Sequence, residues 1–199
     1  MSGRRAAIRA ARWLPLAAAA AALALAAVGC TGDHGSRPTQ RPIERADDPT
    51  LSEPLLVALG MAKNYHHQAD VHLADGNTQA AIDAVGKVLT IPFPAGAPEG
   101  EDTILDARAR LGKLYLGIGR LDEAQRAVEL GLAAPSRESF FLANLYTVAG
   151  EIHEARAAAA GAGDAAAARE ERRKALEAYE RSLRIAEELQ KKVSKEASP

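Results

Sequence analysis

Two sets of side chains in this sequence could perform chemistry. Cys30 is the only cysteine among 199 residues, so its thiol cannot form a disulfide within the chain and is available for another use. His66, Asp70 and His72 lie close together and carry imidazole and carboxylate groups of the kind that coordinate zinc. The first set indicates covalent modification of a thiol, and the second has to be weighed as a metal site.

The spacing of the histidine segment does not favour metal binding. On a helix, His66 and Asp70 are one turn apart and share a face, whereas His72 lies about 120° around the axis from His66. A zinc site needs three or four convergent ligands. We therefore expect no metal here and interpret the segment as a solvated or partly packed helix face.

The rest of the sequence contains no catalytic constellation. It has no glycine-rich phosphate loop, no nucleophilic serine elbow and no pair of carboxylates in a plausible cleft. The run Gly161-Ala162-Gly163 lacks the preceding strand and the third glycine of a nucleotide site, and it reads as a helix-breaking turn. We expect a protein that is not an enzyme and that needs no cofactor.

The N-terminus has the order of a secretion signal. Arg4, Arg5, Arg9 and Arg12 precede an apolar run over residues 13–28, and no acidic residue lies among them. The run is shorter than the roughly 20 residues that cross a bilayer. A permanent membrane helix is therefore the weaker interpretation, and we predict that the segment is cleaved.

The residues that end this run are Ala27-Val28-Gly29-Cys30. Small residues before a cysteine resemble the lipobox of bacterial lipoproteins. The resemblance implies a signal peptide over residues 1–29, lipid on Cys30 and attachment of the mature protein to a membrane. The alternative is an ordinary signal with an unrelated cysteine, cleaved after Ala26 or Ala27.

The residues after Cys30 predict a tether and a location. In Gram-negative lipoproteins an Asp after the lipidated cysteine resembles an inner-membrane retention signal, and Thr31 stands there instead. The resemblance thus implies the outer membrane, facing the periplasm. Residues 30–50 are rich in Gly, Pro and charge, so they cannot bury enough surface to fold and are predicted to be a flexible tether.

Composition and charge bound the remaining chain. Residues 51–199 are rich in Ala and Leu and poor in aromatic residues, which predicts one all-α domain. Because residues 1–29 carry four arginines and no acidic residue, the whole-chain charge of −1 leaves about −5 for the rest. A mildly acidic protein is not a candidate for general nucleic-acid binding.

Residues 111–135 carry a repeat pattern. The pattern consists of Leu111, Gly112, Tyr115, Gly119, Ala124, Val128, Leu132 and Pro135. It resembles a tetratricopeptide repeat, in which two antiparallel helices cross closely at small residues. A weaker copy precedes it, with His72 in the place of Tyr115. The resemblance implies antiparallel helix pairs over residues 56–92, 102–135 and 136–193, forming a solenoid of about three repeats with a long C-terminal helix.

The third copy allows two architectures. In its alignment, Ala143, Gly150 and Ala155 correspond to Gly112, Gly119 and Ala124. Gly150 is then a turn between short helices, and a separate capping helix follows. Alternatively, one helix runs from about residue 136 to 160 and reverses at residues 161–163 into a long returning helix, which the apolar spacing favours. Residues 92–101 are interpreted as a mobile connection rather than a calcium loop.

The resemblance implies a function as a protein-interaction scaffold or assembly factor of the cell envelope, with a periplasmic carrier or chaperone as the alternative. Carried over copy by copy, it places in a partner-binding groove Lys63, His66, Asp70, Asp106, Lys113, Arg137, Phe140, Asn144 and Thr147. The mixed charges indicate a peptide of mixed polarity, anchored by Phe140. The alternative is that Phe140 belongs to the core and that the groove is only solvated.

Overall fold

The computed structural model describes residues 52–134, 136–161 and 163–197. Its six helices are α1 (Glu53–Ala74), α2 (Thr78–Val88), α3 (Pro98–Gly117), α4 (Leu121–Leu132), α5 (Phe140–Ala160) and α6 (Ala165–Glu196). Regular structure in these ranges is entirely helical, which confirms the predicted all-α class. The predicted signal (1–29), the lipid attachment at Cys30 and the tether (30–50) lie outside the described residues.

The helices associate as three successive pairs. α1 packs with α2, α3 with α4, and α5 with α6. Each pair then stacks on the one before it, because α3 contacts α1 and α2, and α5 contacts α3 and α4. The first helices α1, α3 and α5 therefore form one layer. Among the described helices, none combines the length and the apolar composition needed to cross a bilayer.

Glycines with positive φ end the first helix of each pair. Gly76 has φ 72°, Gly119 has φ 74° and Gly161 has φ 53°, a region that side chains with a Cβ rarely adopt. After Gly76, the Asn77 side chain accepts a hydrogen bond from the backbone N–H of Ala80 at 3.1 Å and starts α2. The short turns hold the two helices of each pair antiparallel.

The α3–α4 pair crosses at small residues, as the sequence pattern predicts. A Cβ added to Gly112 would lie 2.9 Å from Val128 Cγ2 and 3.0 Å from Val148 Cγ1. Ala124 on α4 is fully buried at the same crossing. Because Val148 belongs to α5, Gly112 also lets the third pair approach α3.

The third pair is a long hairpin, as the apolar spacing favours, and the alternative turn at Gly150 is wrong. α5 runs unbroken from Phe140 to Ala160 and reverses before α6. Asp164 caps α6 by accepting a hydrogen bond from the backbone N–H of Ala167 at 2.9 Å. Gly150 lies in the middle of α5, where a Cβ would come within 2.5 Å of the Tyr179 ring. It is therefore a site of close helix contact.

The segment 92–101, predicted to be a mobile connection, is helical from Pro98 onward. α3 begins at Pro98, and Glu99 and Glu101 lie in its first turn. Proline at the first helical position and carboxylates near the helix N-terminus both favour a start there. Gly100 lies against Phe93, since a Cβ at this glycine would be 2.8 Å from Phe93 Cβ. The earlier start brings the first turn of α3 towards α1.

Candidate functional site

A cleft of about 380 Å³ opens in the layer formed by the first helices. We call it the α1–α3 cleft. Its lining residues are Leu59, Ala62, Lys63 and His66 of α1, Glu99, Asp102, Thr103 and Asp106 of α3, and Phe141 of α5. All three first helices therefore contribute to it, and apolar side chains lie beside charged ones.

His66 connects the two long walls of the cleft. Its Nδ1 lies 3.1 Å from a guanidinium nitrogen of Arg110, and its Nε2 lies 3.7 Å from a carboxylate oxygen of Asp106. Arginine can only donate, so Nδ1 accepts and carries no proton. Burial lowers the pKa of His66, and the nearby Arg110 lowers it further, while Asp106 and Asp70 act against this shift. His66 is therefore held in its neutral form.

Asp102 carries an unsatisfied oxygen. Its side chain is 16% exposed, and Oδ2 accepts a hydrogen bond from the Arg137 guanidinium. Oδ1 is buried and has no hydrogen-bond partner. A buried acceptor without a donor is costly, since it has lost its water without gaining a replacement. A donor from outside reaches this oxygen only if the Asp102 side chain turns towards the cleft.

The aromatic residue that lines the cleft is Phe141, whereas Phe140 was predicted as the anchor. Phe140 is 70% exposed and does not line the cleft, nor is it a core residue. Phe141 is half-buried and packs against the core around α3 and α5. The two rings meet edge to face, with centroids 5.7 Å apart and planes at 81°. Phe140 supports Phe141 from the solvent side.

The other predicted groove residues divide into several groups. Lys63, His66 and Asp106 line the cleft, whereas Lys113 lies 3.6 Å from Glu151 of α5. Asp70 pairs with Arg110, Arg137 pairs with Asp102, and Asn144 is half-buried without lining the cleft. Thr147 does not line the cleft, and its hydroxyl lies 2.9 Å from that of Ser182 on α6.

Sequence reasoning missed several lining residues. Leu59, Glu99, Asp102, Thr103 and Phe141 were absent from the predicted groove. One available signal was the proline followed by acidic residues at the start of α3, which would have brought residues 99–103 into the helix. The step from Phe140 to Phe141 depended on where α5 begins, and Ser139 marks that start by capping Leu142 N–H at 3.2 Å.

A second depression, of about 480 Å³, lies where the α3–α4 turn faces α5 and α6. Its charged lining is largely paired already, since Arg156 binds Asp122 and Arg120 binds Glu123. It also lacks an aromatic lining residue. The α1–α3 cleft, which combines apolar walls, an aromatic ring and unsatisfied charge, is the stronger candidate for binding.

Within the described ranges, no group of three or more His, Cys, Asp or Glu residues is arranged to hold a metal ion. His66 and Asp70 instead bind the guanidinium of Arg110. The α1–α3 cleft can bind a segment of polypeptide through apolar contact and ion pairing.

No known protein family, curated protein or solved structure matches this chain.

Proposed function

We propose that this protein is a membrane-anchored interaction scaffold or assembly factor of the cell envelope that binds a segment of a partner protein in the α1–α3 cleft. The cleft itself carries the proposal. It is open along the layer of first helices, and it combines Leu59 and Phe141 with charged residues. Such surfaces suit a polypeptide, whose apolar side chains need contact area and whose polar groups need partners.

The resemblance of residues 111–135 to a tetratricopeptide repeat supports this proposal. In repeats of that family the first helices line a concave binding surface. Here the first helices α1, α3 and α5 supply the lining of the cleft. The close crossing of Gly112 with Ala124 fits the same pattern, because small residues at this contact let the two helices of a pair approach closely.

The membrane anchor is proposed from the sequence around Cys30. The apolar run before it, the small residues Val28 and Gly29, and its status as the only cysteine all support lipidation. Acyl chains contribute about 0.8 kcal/mol per buried methylene, so a multiply acylated cysteine holds a protein on a bilayer. Thr31 supports the outer membrane, facing the periplasm, as the location.

Site-specific photocrosslinking tests the docking function. A benzophenone amino acid placed at Thr103, inside the cleft, should crosslink one dominant protein in cells. The same probe at Arg126, which is exposed on α4, is the matched control and should not give this product. If both positions give the same products, or if Phe141→Ala leaves the Thr103 product intact, the cleft is not the docking site.

Fractionation tests the anchor. Cys30→Ser should move the protein from the membrane fraction to the soluble periplasmic fraction, because it removes the proposed site of acylation. Intact mass spectrometry of the wild-type protein should show the added acyl mass on Cys30. A wild-type mass without acyl chains would refute lipidation, whatever the fraction in which the protein is found.

A further inference from the structure

The charges of the α1–α3 cleft are distributed unequally between its walls. α3 supplies three carboxylates, those of Glu99, Asp102 and Asp106, whereas α1 supplies one ammonium group, that of Lys63. His66 adds no positive charge in its neutral form. Because the Arg137 guanidinium also binds Asp102, the cleft presents an excess of one negative charge to a molecule that enters it. Among the described residues of the cleft, the unpaired carboxylate is that of Glu99, on the α3 side.

The carboxylates of α3 differ in how far their partners satisfy them. Asp106 faces His66 at 3.7 Å, and Asp102 binds Arg137 through Oδ2 alone. Asp102 Oδ1 is buried without a hydrogen-bond partner. The carboxylate of Glu99 makes no ion pair with any described residue. The Glu99 carboxylate, and Asp102 Oδ1 once its side chain turns towards the cleft, thus lack donors, which a ligand with several N–H groups would supply.

Apolar groups border these carboxylates. Leu59 and Phe141 line the same cleft, and they offer contact area for a methylene stem. An arginine side chain has such a stem and ends in a planar group with five N–H donors. It also binds favourably over an aromatic face. The cleft therefore has features that complement each part of an arginine side chain.

We infer that the α1–α3 cleft recognises an arginine within a basic segment of the partner protein. This inference rests on the proposed docking function and names the chemistry of the partner. The guanidinium binds the Glu99 carboxylate and, with the Asp102 side chain turned towards it, Asp102 Oδ1. Its stem packs between Leu59 and Phe141. Lys63 on the opposite wall repels the same cation, so its removal has the opposite effect on binding.

Peptide titrations of the full chain, followed by NMR, test this inference. The probes are nine-residue Ala/Ser peptides with a central Leu-Arg-Leu, and matched peptides with citrulline or Glu in place of Arg. Citrulline keeps the shape and loses the charge. We expect the arginine peptide to bind about tenfold more tightly than the citrulline peptide, because citrulline lacks the charge that strengthens hydrogen bonds to carboxylates.

Charge-neutral variants locate the contact. Glu99→Gln should weaken binding of the arginine peptide about three-fold, and Asp102→Asn should weaken it about tenfold. Lys63→Gln should strengthen binding of the same peptide. Glu101→Gln is the matched control, because Glu101 lies in the same first turn of α3 but outside the cleft. Its affinity for the peptide should equal that of the wild type.

Equal binding of the arginine and citrulline peptides would overturn the inference, as would the absence of binding by both. Equal weakening by Glu99→Gln and Glu101→Gln would also overturn it, because the effect would then be one of net charge. The docking function is not refuted by these outcomes if the Thr103 probe still crosslinks its partner in cells that express the Asp102→Asn variant. Loss of the Thr103 product in the wild type would instead refute the docking function itself.

Discussion

At the scale of single residues, His66 shows how burial selects a protonation state. Its ring lies between Arg110, which donates to Nδ1, and Asp106, which faces Nε2. Burial is the largest cause of its lowered pKa, and the charge of Arg110 acts in the same direction. A second proton on the ring would remove the acceptor that Arg110 uses. The contact between α1 and α3 at this point therefore depends on the neutral ring.

This arrangement predicts a pH dependence with a defined sign. Below its ordinary value of 6.5, the unfolded chain protonates His66 before the folded protein does. The free energy of unfolding should therefore fall as the pH decreases from 6.5 towards the lowered pKa, and then level off. Urea unfolding over this range checks the slope. His66→Gln should reduce this slope, whereas His67→Gln, which changes an exposed side chain, should leave it unchanged. Equal slopes in both variants would contradict the assignment of the pH dependence to His66.

At the scale of helices, the glycines of this chain have opposite roles that a substitution to alanine separates. Gly60 is exposed in the middle of α1, and a Cβ there meets nothing within 4 Å. Gly150 is buried in the middle of α5, and a Cβ there would come within 2.5 Å of Tyr179. Both glycines lie within helices, so substitution by alanine changes helix propensity equally at the two positions. Only the packing of the added methyl group differs.

Gly60→Ala should therefore stabilise the protein by about 0.5–1 kcal/mol, through helix propensity alone. Gly150→Ala should destabilise it by about 1–3 kcal/mol, because the added methyl group overpacks the α5–α6 contact. Denaturant unfolding measures both changes. Adding Tyr179→Leu to Gly150→Ala should recover part of the loss. Absence of coupling between these two substitutions would show that they do not touch in solution.

Tyr179 provides a separate test of the same hairpin. Its hydroxyl donates a hydrogen bond to Glu154 at 2.8 Å, and burial together with this carboxylate raises the pKa of Tyr179 to about 12. Because the folded pKa is the higher one, this stabilisation is present below pH 10 and is lost as the pH rises towards 12. Glu154→Gln should lower the titration midpoint of this tyrosine in ultraviolet absorbance, and an unchanged midpoint would contradict the contact.

The helices also show what the sequence could and could not predict. The all-α class, the pairing and the crossing of Gly112 with Ala124 follow from patterns that repeat along the chain. The role of Gly150 was harder to predict. In the sequence, a glycine at a turn cannot be distinguished from a glycine at a close helix contact unless the packing partner, here Tyr179, is known. Phe140 and Phe141 are about 100° apart around the helix axis, so only one of them can face the cleft. To assign that role, one has to know that α5 begins at residue 140.

At the scale of the whole molecule, Tyr115 connects two cores. One core is centred on α1 and α2, the other on α5 with parts of α3, α4 and α6, and Tyr115 packs against both. Tyr65 packs only against the first. In stacked helix pairs, cooperativity depends on such contacts between neighbours.

Tyr115→Ala should therefore weaken the coupling between the two cores and lower stability. Hydrogen exchange in increasing denaturant should show amides of α1 and α2 opening before those of α5 and α6. Tyr65→Ala is the control and should lower stability while leaving a single transition in both regions. A single transition in Tyr115→Ala as well would mean that other contacts couple the cores.

Most of the packing joins helices that are neighbours in the chain, and this has a kinetic consequence. Each pair closes through a turn of a few residues, and the long α5–α6 hairpin is complete within one continuous segment. Proteins dominated by such local contacts fold on microsecond to millisecond timescales, since little loop entropy is lost before packing begins. A helix pair that is synthesised early can therefore bury its apolar face before distant segments of the chain are available. This shortens the time during which aggregation-prone surface is exposed.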